Sequence, residues 1–462
     1  MKTNTLDFDA QALRDKILDL AMRGKLVPQD PNDEPASVLL ENNNLKSSDE
    51  KPHAVPKSWE WIVLGSGVKF INGRAYKKAE LLEDKNLTPV LRVGNLFTNS
   101  SWYYSNLHLD PDKYIDNGDL IYAWSASFGP RIWDGEHVIY HYHIWKLILD
   151  QAIDKNYLYY FLLDKRNVIG ETDLHGSTMK HITKTNMEHL SFPLPPLSEQ
   201  SRIAAKIAQL FALLRKVETS TQQYAKLQTL LKSKVLDLAM RGKLVKQDPN
   251  DEPASELLKK IKAEKAELIK EKKIKKTKPL PPITDDEKPF DIPDSWEWVR
   301  LGDVLKPEIY RKPNVDFMYI DIASVNNKIN KVTNPTKIII NKDKIASRAR
   351  QVLSKNDILF SVVRPYLKNI AMVPNTKDVQ VGSTGFYVLK PYNLLNRHYL
   401  FYLMLSKYVI QNMTNKMRGD NSPSIRKSDL QNLLIPLPPI NEQLQIVNII
   451  QNLNLIFNKV QE

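Results

Sequence analysis

Residues 16–37 read KILDLAMRGKLVPQDPNDEPAS and residues 234–255 read KVLDLAMRGKLVKQDPNDEPAS, differing only at Ile17/Val235 and Pro28/Lys246. Further on, Pro56-Lys57-Ser58-Trp59-Glu60-Trp61 returns as Pro293-Asp294-Ser295-Trp296-Glu297-Trp298. Pro193-Leu194-Pro195-Pro196 with Glu199-Gln200 returns as Pro436-Leu437-Pro438-Pro439 with Glu442-Gln443. Near-identical segments obey the same local physics, so the chain must fold as two related halves. The offsets between landmarks grow from 218 (16 to 234) to 237 (59 to 296) and 243 (193 to 436). Each half therefore keeps a frame and varies its filling.

After Pro195-Pro196, Ser198 is a suitable N-cap with Glu199 in the first turn. A 3-4 apolar pattern then runs for about five heptads through Ile203, Ile207, Leu210, Leu214, Val217, Tyr224, Leu231, Val235 and Leu238. At an offset of 243 the C-terminal copy keeps this seam with Ile446, Ile450, Leu453, Phe457 and Val460, and Glu462 falls level with Thr219. At an offset of 218 Met1 also falls level with Thr219, followed by Leu6, Leu13, Ile17 and Leu20. The two ends together thus rebuild one central helix. The expected architecture is circular: two rods of roughly 60 Å packed side by side about a pseudo-twofold axis.

Gly24 and Gly242 follow arginines as helix stops do. A second helix is expected over residues 256–278 in the C-terminal half only. Runs such as Asp119-Leu-Ile-Tyr-Ala-Trp, residues 138–149, Asp357-Ile-Leu-Phe-Ser-Val-Val and Phe386-Tyr-Val-Leu read as strands, and residues 156–163 and 398–405 as short helices. The fold class is α+β: two mixed, β-rich domains separated by two long antiparallel coiled-coil helical regions. The divisions are 1–55 (an N-terminal helical segment completing the distal helical region), 56–197 (first domain), 198–292 (central helical region and linker), 293–440 (second domain) and 441–462 (distal helix).

The chain has no cysteine, no signal peptide and no apolar run of membrane-spanning length, so a cytoplasmic protein without disulfides or Cys-based metal sites is expected. Its net charge of +13 is uneven. Residues 293–440 hold 22 Lys+Arg against 11 Asp+Glu, hence +11; residues 56–197 hold 15 against 16, hence −1; residues 256–278 hold 10 against 4, hence +6. A domain at +11 fits a phosphate-backbone partner. No phosphate-binding G-x-x-x-x-G-K-[ST] loop, no Asn/Asp-Pro-Pro-Tyr type methyltransferase loop and no carboxylate-lysine nuclease cluster is present. His141-Tyr-His143 would put two imidazoles on one strand face, but a third ligand is lacking, so ordinary strand histidines are expected. The twin Trp-Glu-Trp motifs read as core aromatics.

Loops that mix hydroxyls, bases and glycine suit groove reading with phosphate contact. In the first domain these are Trp124-Ser-Ala-Ser-Phe-Gly-Pro130, with Trp124, Ser125 and Ser127, and Gly176-Ser-Thr-Met-Lys-His-Ile182, with Ser177, Thr178, Lys180 and His181; Arg74 and Lys77 join them. In the second domain the candidates are Arg348, Arg350, Arg364, Tyr366, Lys368, Ser383, Thr384, Arg418, Ser424 and Arg426.

Two unlike domains, a duplicated Leu-x-x-Ala-Met-Arg-Gly-Lys-Leu-Val segment and Pro-Leu-Pro-Pro-x-x-Glu-Gln before a long helix make the chain resemble, over its whole length, the specificity subunit of a type I restriction-modification system. The resemblance implies two target-recognition domains, each reading one half of a bipartite site in double-stranded DNA. It implies no catalysis and no cofactor in this chain: S-adenosylmethionine, ATP and Mg would belong to two methyltransferase subunits and to restriction subunits. Matching methyltransferase subunits would need matching surfaces, which points to Met22, Arg23, Met240 and Arg241. The competing reading from residues alone is a coiled-coil scaffold carrying two protein-binding domains.

Overall fold

A computed structural model describes residues 9–97, 101–125, 128–169 and 183–459. The chain forms two compact units that divide within the helix Leu197–Met240, after Thr221. The join of the two chain ends falls at residues 1–8 and 460–462, outside the described residues.

In the first unit the strands that lead into and out of the β-rich domain, Glu60–Val63 and Ser191–Leu194, pair antiparallel with Trp61 opposite Pro193. In the second, Glu297–Arg300 and Leu434–Leu437 pair with Trp298 opposite Pro436. The repeated Trp-Glu-Trp and Pro-Leu-Pro motifs are thus the two sides of one zipper, used once per unit. Pro193 and Pro436 sit in two-stranded ribbons, where a missing N–H is tolerated. A buried tyrosine hydroxyl braces each: Tyr157 donates to the Pro193 carbonyl at 3.0 Å and Tyr399 to that of Pro436 at 2.9 Å.

The helix stops behave as read. Gly24 and Gly242 take φ +64° and +66°, and a Cβ at either would strike Pro56 or Pro293 at 2.4 and 2.3 Å. Only glycine satisfies both demands, which explains why the repeat ends in Arg-Gly and the next landmark opens with proline.

Above each zipper stand two sheets. In the first unit the orders are Val68–Asn72, Ile144–Leu149, Leu120–Ala123, Gly129–Ile132, and Tyr103–Ser105, Thr88–Leu91, Val138–Tyr140, Tyr114–Ile115. In the second they are Thr336–Ile338, Phe317–Ile320, Gln380–Ser383, Ala349–Val352, and Val325–Asn326, Lys331–Val332, Ile370–Met372, Ile358–Ser361, Phe386–Leu389. The expected short helices occur as Lys155–Leu163 and Arg397–Leu405.

Several expectations change. Residues 138–149 are two strands in different sheets, broken by a turn at Tyr142 and His143, because the run serves two cores at once. His141 and His143 therefore do not share a strand face; burial depresses both imidazoles, His141 to about 4. No group of three His, Cys, Asp or Glu among the described residues could hold a metal. The long helix begins at Leu197, so Ser198 is not its cap; its hydroxyl donates to Asp33 Oδ1 at 2.5 Å instead. The lysine-rich helix runs Ala254–Lys270 and stops there, with Lys272 at φ 59°, and the first unit has its own seven-residue version, Ala36–Asn42. Ile203, Ile207, Ile446 and Ile450 are buried seam residues, whereas Val217 and Leu231 are 45% and 46% exposed. In the helix Ala10–Met22 the buried stripe is Ala10, Leu18, Ala21 and Met22, not Leu13, which is exposed. That helix packs on the Tyr157–Phe161 cluster, which turns its stripe away from the heptad register.

Candidate nucleic-acid interface

The root of each β-rich domain is a carboxylate latch that gathers all three repeated motifs. Glu199 accepts the Trp59 indole N–H at 2.9 Å and the Gln29 amide at 2.5 Å; Glu442 accepts those of Trp296 and Gln247 at 2.7 and 2.6 Å. Both carboxylates are buried, and burial raises the pKa of each above the ordinary glutamate range. The following glutamines finish the joint: Gln200 Oε1 accepts the Asp154 N–H and Gln443 Oε1 that of Asn396, at the start of the twin short helices. Buried donors need partners, and here the partners come from distant repeats. The latch fixes each β-rich domain to the start of a long helix.

Inside the domains lies a further twin that motif reading did not isolate. Asp119 opens the buried strand Leu120–Ala123 and pairs with Lys146 at 2.6 Å; Asp357 opens the buried strand Ile358–Ser361 and pairs with Lys390 at 3.0 Å. Each aspartate follows a residue in the left-handed region, Gly118 at φ 90° and Asn356 at φ 62°, and its carbonyl accepts a return-strand N–H, from Trp133 or Val373, at 2.8 Å. The signal was present in the Asp-led apolar runs. At the far end of each strand the hairpin presents candidate residues.

In the first hairpin Trp124 is half-buried: its indole N–H donates to the Tyr142 carbonyl at 2.9 Å and its ring lies 5.8 Å from that of Trp145. Ser125 sits beside it on a bend, and Ser127 lies outside the described residues. Arg74 is not a free base; it makes a two-pronged ion pair with Glu80 at 2.8 and 3.0 Å, which holds Glu80 down to about 2. Lys77 is exposed on the same turn. Ser177, Thr178, Lys180 and His181 lie outside the described residues.

The second domain displays more free charge. Arg348 and Arg350 are exposed and have no ion-pair or side-chain hydrogen-bond partner among the described residues, and Thr384 is tied to them by its N–H on the Arg348 carbonyl at 2.9 Å. Arg364, Tyr366 and Lys368 are exposed on the second hairpin. Arg418 is engaged with Asp429 at 2.7 Å, Ser424 holds a backbone bridge to Val363, and Arg426 is exposed. Ser383 departs from expectation: it is 3% exposed in the strand Gln380–Ser383, where its hydroxyl accepts the Gly385 N–H, so it has no surface to offer a groove.

A family model described as "Type I restriction modification DNA specificity domain" matches residues 56–228 and again 293–461, one copy on each latch-rooted domain. The chain belongs to this specificity family. The EcoAI specificity subunit of Escherichia coli is 31% identical across 98% of this chain and 90% of its own length. The EcoEI specificity subunit of Escherichia coli is 33% identical over 64% of this chain and 62% of its own length. The crystal structure of the HsdS subunit from Thermoanaerobacter tengcongensis shares the fold at a TM-score of 0.51, covering 89% of this chain and 93% of that one at 20% identity.

Within this specificity-family chain the docking candidates divide by atom. Met22 and Met240 are buried at 3% and 1%, packed in the cores of their own units, and cannot form a partner surface in this state. Arg23 and Arg241 remain partly exposed, paired with Asp19 at 2.6 Å and Asp237 at 3.1 Å, and Arg241 also lies 4.5 Å from the Phe290 ring centre. No helix among the described residues is long and apolar enough to cross a membrane.

Proposed function

We propose that the chain is the DNA-reading subunit of a type I restriction-modification complex, each recognition domain reading one half of a bipartite site in double-stranded DNA. The observation that carries this is the set of exposed cations on the second domain, Arg348, Arg350 and Lys368 among them, that have no ion-pair partner among the described residues, on the domain at +11. Cations left without an ion pair suit a phosphate backbone. The hairpin tips at Trp124–Ser125 and Arg364–Lys368, with Lys77, Thr384, Ser424 and Arg426, are the groove and backbone contacts of this reading, together with residues 177–181.

The long helices set the length of the unread spacer between half-sites and, with Arg23 and Arg241 near their ends, dock two methyltransferase subunits. Adenine-N6 methylation with S-adenosylmethionine, and ATP- and Mg-dependent cleavage by restriction subunits, reside in those partners. This chain supplies position alone. Exchanging residues 56–197 for the matching segment of a relative and mapping methylated adenines tests the reading: one half-site changes and the other stays. A change in both halves, or in neither, rejects it.

A further inference from the structure

Seven non-glycine residues among those described have positive φ, and four are asparagine, which tolerates that conformation. Two of the other three, Arg364 at φ 47° and Lys368 at φ 54°, bracket the single turn Pro365–Leu367. Side chains elsewhere hold this strained turn still. Asn327 Nδ2 donates to the Leu367 carbonyl at 2.8 Å, and Asn330 Nδ2 donates to the carbonyls of Lys368 and Ile370 at 3.0 and 3.1 Å. Arg364 reaches the Asn421 carbonyl at 2.9 Å. A fixed turn normally hides its apolar residues, yet Tyr366 is 45% and Leu367 40% exposed, and Ile329, on the clamping turn, is 56% exposed. Lys328, Lys331 and Lys368 are exposed on the same two turns without an ion-pair or side-chain hydrogen-bond partner among the described residues, and neither turn carries an acid.

Backbone strain of this kind persists where the surroundings over-determine it, and it concentrates at functional sites. An apolar tip ringed by free cations fits a partner with a polyanionic rim and an apolar interior, which is a stacked duplex. Resting on the DNA-reading function above, we infer that the Pro365–Leu367 turn is a preformed wedge: Tyr366 and Leu367 enter one base step at the second half-site and unstack it. Lys328, Lys331 and Lys368 hold the flanking phosphates.

The test uses the full chain assembled with its methyltransferase subunits, without S-adenosylmethionine. The duplexes carry 2-aminopurine at successive positions through the second half-site, omitting the methylated adenine. At one step the wild-type complex raises the fluorescence several-fold, and Tyr366→Ser/Leu367→Ser abolishes that rise. A one-nucleotide gap at that step, which removes the stacking to be broken, tightens wild-type binding by about tenfold and leaves the double variant unchanged. Lys328→Gln/Lys331→Gln/Lys368→Gln weakens binding to all sequences and flattens the salt dependence, by about 0.9 in log-log slope for each phosphate no longer neutralised, while the fluorescence rise remains. If no position responds in a site-bound wild-type complex, or the rise survives in the double variant, the wedge is wrong although site recognition stands. If the double variant sheds methyltransferase subunits in native mass measurements, the tip is a protein contact and the inference falls. If the wild type shows no preference for the mapped site, the DNA-reading function itself fails, and the wedge with it.

Discussion

The hairpins at 119–133 and 357–373 are launched by one device and end in different chemistry. Each begins with an aspartate after a left-handed residue, bound to a lysine of a neighbouring strand segment. The first ends in Trp124, folded back onto Trp145 and the Tyr142 carbonyl; the second ends in an exposed turn whose Lys368 has no ion-pair partner among the described residues. The latches repeat the lesson, alike at Glu199 and Glu442 and unlike beside them. Asp33 pairs with Arg202 at 2.5 Å, whereas its counterpart Asp251 accepts the Asn441 amide at 2.7 Å and has no ion pair among the described residues. Duplication thus holds buried polar geometry fixed and leaves surface charge free to differ, because an unpaired buried group is costly and an exposed one is not.

The largest expected effect separates the two launching pairs. Asp357 is 3% and Lys390 10% exposed, so Asp357→Ala strands a buried ammonium and costs about 3–5 kcal/mol. Asp119 and Lys146 are more open, at 27% and 13%, and Asp119→Ala costs about 1–2 kcal/mol. Urea unfolding measures both, and equal losses would break the distinction.

Next come the latches, where likeness is expected. Glu199→Ala and Glu442→Ala each leave a buried indole donor without an acceptor, for about 1–3 kcal/mol. Glu199→Gln and Glu442→Gln, which keep an acceptor and shed a buried charge, cost less than about 1 kcal/mol. A loss in only one member of either pair would show that the latches differ in duty.

Acid should distinguish the units more gently. The Arg202 hydrogen bond lowers the pKa of Asp33, so its contribution is present above the unfolded aspartate range and is lost as pH falls through the lowered value. Arg202→Gln removes that stabilisation, about 1 kcal/mol or less, from the first unit and leaves the second unchanged. Glu199 and Glu442 have raised pKa values and the opposite sign: their ionisation costs stability as pH rises through those values, in both units alike. Calorimetry between about pH 3 and 7 on wild type and Arg202→Gln is the measurement. The smallest effect is the exchange of launching residues. Asn356→Gly and Gly118→Asn each change stability by less than about 0.5 kcal/mol in thermal unfolding, because both residues accept left-handed backbone.

Much of this was legible in the residues. The twin segments, the glycine stops, the buried tryptophans and the two short helices followed from repetition, from φ-permissive residues and from apolar spacing, all of which are local. Even the launching aspartates stood in view at the head of their apolar runs. What periodicity lacked was the identity of the covering surface. Residues 138–149 are apolar enough for one strand but feed two sheets, and Leu13 shares a heptad register with Ile17 yet faces outward.

Residue type and order dictate that the chain has two homologous halves, that the repeated helices stop at Gly24 and Gly242, and how the net charge divides. Those properties depend on residue type and on neighbours within a turn or two. Tertiary structure alone decided which charges are free and which polar groups are buried. Arg74 is neutralised by Glu80, Ser383 and Met240 are core, and Glu199 meets Trp59 across 140 residues. Pairing and burial depend on which distant segments meet, and a count along the chain carries no distance in space.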